Sequence, residues 1–416
     1  MRKVQARTSG PISAALSLSL LLLFVAGVSA LAETPEHASK GNEAKTNEIL
    51  YLVGDYPKAS FLSLLQSQPD DEGEAGALLA LDEINLTGRF MGLHYTVDVV
   101  HLRGDVDLTA QIRPLLSKSK LIVAALTAPD LLKIAAMPEA SDAVILDTVT
   151  SDDRLRQEHC RRNVFHLLPS VAMRTDALAQ YLMKKQWSRW LVLRGPGMED
   201  QAWADDIHRS AARFGGKIVE DRLYSYDVGS RRVDTGYQQI QTQLPQATAN
   251  TPSHDIVIVA DTTDIFGDYL PYNTSEPRPV AGTQGLVPMA WHPAFQEYSA
   301  LQMQHRFEAA AHRTMNERDY AGWLAIRAIG EASIRSGKTE TADLGAFMRS
   351  KAFELAGFKG QAMTFRPWDQ QLRQPVLLAS ALMVVSLSPQ EGYLHPKFLT
   401  DTLGFDEPET KCHLTP

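Results

Sequence analysis

Cysteine is scarce in this chain, which has only two among its 416 residues, Cys160 and Cys412. Two cysteines cannot build a small fold held by several disulfides, so the core must come from hydrophobic burial. Glycine and proline are near average use, with 26 and 22 residues, which excludes collagen-like and low-complexity chains. With 44% hydrophobic and 22% charged residues, the chain is long enough for two globular domains.

An excess of positive charge is also lacking. The 41 Lys and Arg residues stand against 49 Asp and Glu residues, which gives a formal net charge of −8. A surface with this balance repels a phosphate backbone rather than following it. Nucleic acid is therefore not an expected partner.

The common catalytic and metal-binding motifs are missing as well. There is no G-x-S-x-G, H-E-x-x-H or C-x-x-C motif, and no two of His292, His305 and His312 are four residues apart. The glycines of the sequence GPG at 195–197 begin like a dinucleotide loop, but Asp200 stands where the third glycine belongs. The sequence SGKT at 336–339 is better explained by the end of a helix than by a phosphate loop. We expect no catalytic residue, no metal and no cofactor.

One strongly apolar run lies near the start of the chain. Three basic residues occur among the first seven, and the run LSLSLLLLFVAGV follows and leads into the small-residue patterns VSA and ALA. This order predicts a cleaved secretory signal peptide over residues 1–30. The alternative, a transmembrane anchor, needs roughly 20 apolar residues. We expect a flexible leader at 31–47, which has almost no large apolar side chain, and no membrane insertion of the mature chain.

Export changes what the two cysteines can do. An oxidising compartment permits a disulfide between Cys160 and Cys412 that the cytosol would not. Closing so long a loop could stabilise the protein by up to roughly 5 kcal/mol in the chain-entropy model. The sequence alone leaves both the bridged and the unbridged state open.

Short apolar strands alternate with helical segments from about residue 48 onward. The runs ILYLVG, YTVDVVHL, LIVAAL and AVILDTV predict strands, and EAGALLALDEIN, TAQIRPLLS and DLLKIAAM predict the helices between them. The alternation restarts after residue 170 with TDALAQYLMKK, RWLVLRG, AWADDIHRSAARFGG, KIVEDRLYS, a helix near YQQIQTQL, and DIVIVAD. This pattern predicts an α/β fold with two doubly wound parallel-sheet lobes. A further helix, YAGWLAIRAIGEASIRSG, is predicted to end at Gly337.

Ligands of open α/β sheets bind beyond the carboxyl ends of the strands. The candidate ligand-binding residues follow the predicted strands of both lobes: Tyr56, Thr127, Thr148, Thr150, Arg194, Glu199, Asp261, Asp264 and Trp291. Each has a structural alternative. Thr127 caps a predicted helix, Asp261 and Asp264 could complement a helix dipole, Arg194 could be solvated, and the two aromatic residues could serve packing.

Three segments resemble the Leu/Ile/Val-binding type of periplasmic solute-binding protein. They are GALLALDEINLTGRFMGLHYTVDVV at 76–100, CRRNVFH at 160–166 with PS at 169–170, and FKGQ at 358–361 with Phe365. The likeness spans about residues 48–390. More narrowly, the chain resembles the branch found beside pyrroloquinoline quinone-dependent alcohol oxidation systems, with a short first loop and a C-terminal extension ending near Cys412.

This resemblance implies a type I periplasmic binding protein fold, with two lobes joined by a three-segment hinge. The expected first lobe combines residues 48–168 and 291–370, and the second combines 169–290 and 371–400, before a C-terminal tail at 401–416. It also implies a periplasmic, non-enzymatic component of an ABC importer. Its expected partners are a small polar solute and a membrane ABC permease, and we expect a monomer.

The chain departs from the family pattern at two places. Amino-acid binders of this family usually have an aromatic residue where Met198 and Glu199 stand, and Gly88-Arg89 replaces a double glycine. The first departure argues against an amino-acid ligand. The alternative function is a sensory or partner-binding module that reports a solute to a receptor or to the alcohol oxidation system.

Overall fold

The computed structural model describes residues 45–56, 68–225, 240 and 243–414. The predicted signal peptide and most of the predicted leader lie outside these residues, and so does most of the helix predicted near YQQIQTQL. The first strand begins at Lys45, inside the segment predicted as leader, and pairs there with Leu93. The prediction of the leader's end is therefore wrong, because strands pair through backbone groups and need no apolar side chain at their first residues.

The first sheet contains five parallel strands in the order β2-β1-β3-β4-β5. The strands are β1 (Lys45–Val53), β2 (Leu93–His101), β3 (Leu121–Ala125), β4 (Val144–Asp147) and β5 (Val164–His166). The helices that follow β1, β2 and β3 are α1 (Glu74–Gly88), α2 (Leu108–Leu115) and α3 (Ala128–Ala135). Hydrophobic clusters cover both faces, one including α1 and the other α2 and α3. This burial on two sides explains the continuous apolar run of β3.

The second sheet contains four parallel strands in the order β7-β6-β8-β9. Its strands are β6 (Arg189–Arg194), β7 (Lys217–Leu223), β8 (Ile256–Ala260) and β9 (Val280–Gly282), and helices α4 (Val171–Lys184) and α5 (Met198–Phe214) precede and follow β6. Two further clusters cover its faces. Both sheets therefore have the parallel, doubly wound arrangement that the sequence predicts.

The remaining elements attach to one sheet or the other. They are β10 (Val287–Met289), α6 (Ala300–Ala311), α7 (Glu317–Ser336), α8 (Thr341–Met348), β11 (Leu355–Ala356), β12 (Ala362–Met363), β13 (Val376–Ser380) and β14 (Met383–Ser388). Short 3-10 helices cover Arg89–Met91, Pro138–Ala140, Asp153–Arg156, Gly267–Tyr269, Leu399–Thr402 and Glu407–Glu409. Helices α6, α7 and α8 pack on the first sheet, whereas β10, β13 and β14 form an antiparallel sheet against α4. Helix α7 ends at Gly337 in the left-handed conformation, which confirms that prediction.

The chain crosses between the two sheets in three segments, which form the hinge. It leaves β5 for α4, returns from β10 towards α6, and leaves again for β13 after residues 370–372, which hydrogen-bond to His166 in β5. No helix among the described residues is long and apolar enough to span a membrane.

Two glycines bring α1 and α7 into close contact. A Cβ atom on Gly76 would lie 1.8 Å from the carbonyl oxygen of Asp319, and one on Gly322 would lie 2.1 Å from that of Gly73. The Gly73 amide also donates a 2.8 Å hydrogen bond to Asp319. Only residues without a side chain allow the two backbones to approach this closely.

The two cysteines form a disulfide. Cys160, between β4 and β5, is bonded to Cys412 near the end of the chain, and their Cα atoms are 5.7 Å apart. The bridge joins positions separated by 252 residues. The chain after β14 is therefore attached covalently to the first sheet's side of the molecule.

Candidate functional site

A polar cluster lies at the carboxyl edge of the first sheet, where β3 leads into α3. The Thr127 amide donates to the Tyr56 hydroxyl at 3.1 Å, and that hydroxyl donates to Asp130 at 2.8 Å. The Thr127 hydroxyl donates to Asp130 at 3.2 Å. Thr127 is the N-cap residue of α3, but its side chain makes no capping bond to the helix backbone, because the hydroxyl is turned towards Asp130. The structure therefore brings Tyr56 and Thr127 together and adds Asp130.

The charges of this cluster are set by hydrogen bonding. Burial raises the pKa of Asp130, but hydrogen bonds from Lys133 and Tyr56 outweigh burial, so the pKa lies below its usual value. The Lys133 ammonium is 3.0 Å from the Asp130 carboxylate. Burial raises the pKa of Tyr56. At neutral pH the cluster thus combines a carboxylate, an ammonium and a phenol, all of which can hydrogen-bond to a solute.

A cavity of about 430 Å³ lies beside this cluster. Tyr56, Asp130 and Lys133 line one part of it, and residues 102–109, which follow β2, line another. Sequence reasoning missed the second group. The sequence feature that could have indicated this group is the polar run RGDVD at 103–107. It directly follows a predicted strand, at the same sheet edge as the predicted ligand-binding loops.

Thr148 and Thr150 follow β4, and both side chains belong to the fold's own hydrogen bonds. The buried Thr148 hydroxyl donates to the carbonyl oxygen of Ala124 at 3.1 Å. The Thr150 amide donates to Asp147 at 3.0 Å, and its carbonyl oxygen accepts from the buried Arg156 at 2.9 Å. The structure places both threonines at the predicted edge, but it gives them internal partners.

Arg194 ends β6 in the second sheet. Its guanidinium lies 3.0 Å from Asp221 in β7, and His208 approaches the other oxygen of that carboxylate at 2.9 Å. The predicted pairing of Arg194 with a ligand carboxylate is therefore replaced by an ion pair within the second sheet. The reason is that parallel neighbours β6 and β7 bring the two side chains together.

The carboxylate of Asp200 fills the loop that leads into α5. Asp200 accepts hydrogen bonds from the Gly197 amide at 3.1 Å and from the amide and hydroxyl of Thr262 at 2.7 and 2.6 Å. The Asp200 carboxylate thereby joins the start of α5 to the loop after β8.

Asp261, at the end of β8, holds its own loop in place. One carboxylate oxygen accepts from the amides of Phe266 at 2.6 Å and Gly267 at 2.7 Å, and the residue is fully buried. Burial raises the pKa of Asp261. Asp264 is exposed, has a φ of 53° and accepts a hydrogen bond from Gln284. The loop's own amides thus occupy one oxygen of the Asp261 carboxylate, and a contact of this residue with a ligand stays a prediction.

Glu199 is exposed and lies in the first turn of α5, after β6 of the second sheet. Its charge acts on Arg154, which follows β4 of the first sheet. A hydrogen bond to Asp152 raises the pKa of the Arg154 guanidinium, and the negative charge of Glu199 adds to that effect. Sequence reasoning stopped at Thr150 and missed Arg154, although both follow the same predicted strand.

Trp291 is a core residue. Its side chain is 1% exposed and stacks on Tyr320 with ring centroids 4.5 Å apart. Its ring therefore has a stacking partner within the core, and stacking of Trp291 on a ligand stays a prediction. Among the described residues there is also no group of three or more side chains suited to hold a metal ion.

Comparison with known proteins identifies relatives of the whole fold. Residues 66–382 match a family model described as periplasmic binding protein. No curated protein sequence matches the chain.

Solved structures match over most of the chain. A branched-chain amino acid ABC transporter periplasmic ligand-binding protein from Burkholderia xenovorans has a TM-score of 0.68 and 13% identity, covering 88% of this chain and 100% of that one. A leucine-, isoleucine-, valine-, threonine- and alanine-binding protein from Brucella ovis, in a closed conformation, has a TM-score of 0.62 and 16% identity, covering 89% and 100%. An ABC transporter solute-binding protein from R. palustris in complex with benzoate has a TM-score of 0.61 and 12% identity, covering 89% and 100%. At these identities the likeness is one of fold.

Proposed function

Because this chain belongs to the periplasmic binding protein family, we propose that it is the periplasmic substrate-binding component of an ABC importer. In this proposal the lobes are residues 48–168 with 291–370 and residues 169–290 with 371–400. They close on a small polar solute by a hinge motion, and the closed form is presented to a membrane permease. The solute shifts the open–closed equilibrium because it contacts both lobes at once, and no bond is made or broken.

The observation that carries this proposal is the polar cluster beside the cavity of the first lobe. Tyr56, Thr127 and Asp130 lie there, and the second lobe offers the exposed Glu199, whose charge acts on Arg154. A solute held between them would meet donors and acceptors from both lobes. We leave Arg194, Asp261 and Trp291 out of the proposed site, since they pair with Asp221, with the Phe266 and Gly267 amides, and with Tyr320 within the fold.

The solute class follows from which groups are free to hydrogen-bond. Asp200 and Asp261, the buried acids of the second lobe's loops, accept from their own backbone amides and do not offer an ammonium group a partner. The Thr127 amide, at the start of α3, already donates to Tyr56. These contacts favour a hydroxylated or carbonyl solute over a zwitterionic amino acid. A link to pyrroloquinoline quinone-dependent alcohol metabolism fits this class and is supported by the sequence resemblance.

Ligand binding to the purified mature protein tests the proposal. Protein starting at about Glu33 is unfolded and refolded to remove bound solute, and its melting temperature is measured with alcohols, aldehydes, amino acids, benzoate and pyrroloquinoline quinone. A ligand at 1,000 times its Kd adds about 4 kcal/mol to the free energy of unfolding. We expect a clear rise with one chemical class. No rise with any compound would favour the sensory or partner-binding alternative, which predicts loss of growth on alcohols with solute uptake intact.

Variants of the cluster locate the site once a ligand is found. Tyr56→Phe and Asp130→Asn each remove one hydrogen-bonding group, and we expect each to raise Kd by about tenfold, as loss of about 1.4 kcal/mol does. Asp343→Asn is the matched control, because its carboxylate pairs with Lys338 on an exposed part of α8. Unchanged affinity in both cluster variants would exclude this edge as the binding site.

A further inference from the structure

The chain after β14 packs on the second lobe. We call residues 390–412 the C-terminal strap. The Gly404 amide donates to Asp176 in α4 at 2.8 Å, and the carbonyl oxygen of Gly404 accepts from Arg213 in α5. Leu403 is buried in the cluster formed by α4, α5 and the second sheet. The middle of the strap is therefore part of the second lobe's core.

The same stretch of the strap is bound to the third crossing segment. Asp401 accepts from Arg366 at 3.1 Å and from Arg373 at 2.8 Å, and all three side chains are at most 6% exposed. Arg366 and Arg373 flank residues 370–372, which hydrogen-bond to His166 in β5. Asp401 and Gly404 are three residues apart in sequence. One turn of the strap therefore binds Arg366 and Arg373 through Asp401 and binds α4 and α5 through Gly404.

The end of the strap returns to the first sheet's side. The Lys411 amide donates to Gln157 at 2.8 Å, and the next residue, Cys412, is bonded to Cys160. Gln157 and Cys160 both lie in the segment between β4 and β5. This anchor is covalent, so it remains when the lobes move.

We propose that the C-terminal strap restrains the hinge by tying the second lobe to the third crossing segment through Asp401 and to the first lobe through the Cys160–Cys412 bridge. A rotation of one lobe against the other must stretch either the buried Asp401 ion pairs or the contacts of Gly404 with α4 and α5. Buried ion pairs are costly to break when one partner is left without the other. The strap thus limits how far the lobes separate, and its disulfide holds the end of the strap at Cys160. The inference rests on the proposed hinge motion but not on the identity or binding of a solute.

The distance between the lobes tests the restraint. Phe90, which follows α1, and Tyr272, which follows β8, are strongly exposed and are replaced by p-azidophenylalanine for attachment of a fluorophore pair. This labelling avoids the native cysteines. Single-molecule energy transfer then gives the distribution of inter-lobe distances in the solute-free protein.

Two kinds of variant release the strap. The double variant Cys160→Ser/Cys412→Ser removes the covalent anchor, and Asp401→Asn weakens the buried ion pairs. Asp406→Asn is the matched control, because the Asp406 side chain pairs with His395 and accepts from the Glu407 amide, and both partners belong to the strap itself. We expect a broader distribution with a longer mean distance in both release variants and the wild-type distribution in the control.

The outcomes are distinct. Distributions equal to wild type in both release variants would overturn the proposal and place the strap on the hinge axis, where rotation moves nothing. If the serine variant does not fold, adding a reductant to the folded, labelled wild type makes the same comparison. Failure to find a solute leaves this readout unchanged, so the two proposals fail separately.

Discussion

Arg174 in α4 donates a 2.9 Å hydrogen bond to Glu317 in the first turn of α7. The same guanidinium donates to the carbonyl oxygen of Pro288 at 2.9 Å and to that of Pro169 at 3.3 Å. One side chain of the second lobe therefore contacts one crossing segment at Pro169, the strand β10 that leads into another, and a helix of the first lobe. Glu317 also accepts from the Ala290 amide, which extends the junction.

Replacing Arg174 by alanine should loosen this junction. Two carbonyl oxygens and a carboxylate lose their donor, and we expect the free energy of unfolding to fall by about 1–3 kcal/mol. Urea denaturation measures the loss. Arg278→Ala is the control, since Arg278 pairs with Glu276 at the surface and should change stability by less than about 0.5 kcal/mol. Equal effects of the two variants would contradict a structural role for Arg174.

Asp401→Ala leaves two buried guanidinium groups without their shared carboxylate. Breaking a buried ion pair from one side costs about 3–5 kcal/mol, and we expect a loss in that range. Thermal and urea unfolding of the oxidised protein measure it. A loss no larger than that of the exposed-pair variant Asp343→Ala would show that water reaches Arg366 and Arg373 and replaces the carboxylate.

Gly76→Ala tests the contact between α1 and α7. The added methyl group would overlap the carbonyl of Asp319, so the helices must separate, which costs about 1–3 kcal/mol. Gly104→Ala is the control, because a Cβ atom there lies 3.4 Å from the nearest atom, the carbonyl oxygen of Asp55. A fully stable Gly76→Ala variant would mean that the helix pair adjusts without loss.

The sequence was a good guide to elements and a poor one to side-chain roles. The run LIVAA predicts a buried parallel strand from its own residues, because every one of them is apolar. Gly337 likewise predicts a left-handed helix end from its residue type alone. The internal partners of Asp261 and Trp291 could not be predicted from the sequence, because a polar or aromatic residue after a strand serves its own loop or the core equally well. That choice depends on the backbone amides of Phe266 and Gly267 and on the ring of Tyr320, which come from later in the chain.

The missed residues have a related reason. Asp130 lies three residues after Thr127, yet its value as a site residue depends on Tyr56, which the sheet brings from another strand end. The partners of Asp401 likewise stand 35 and 28 positions earlier in the chain. Long-range pairing of this kind has no local signature in a single sequence.

Asp206 in α5 should make stability depend on pH. Burial raises its pKa from the usual 3.8 to about 7, the negative charge of Asp153 adds to the rise, and Arg209 opposes it. The folded protein therefore holds this proton more tightly than the unfolded chain does. The corresponding stability is fully present below about pH 4 and is lost as the pH rises through about 7.

Asp206→Asn removes the ionisation and keeps an oxygen that can accept from Arg209, which lies 3.1 Å from the native carboxylate. We expect the variant to gain stability relative to wild type between pH 5 and pH 8, because only the wild type releases the Asp206 proton from the folded state over that range. Urea denaturation at both pH values measures the difference, in which titrating groups that do not interact with Asp206 cancel. Asp205→Asn, on the exposed face of the same helix, should follow the wild-type profile. A constant difference between Asp206→Asn and wild type at the two pH values would mean that Asp206 is already ionised in the folded protein at pH 5, with Arg209 outweighing burial.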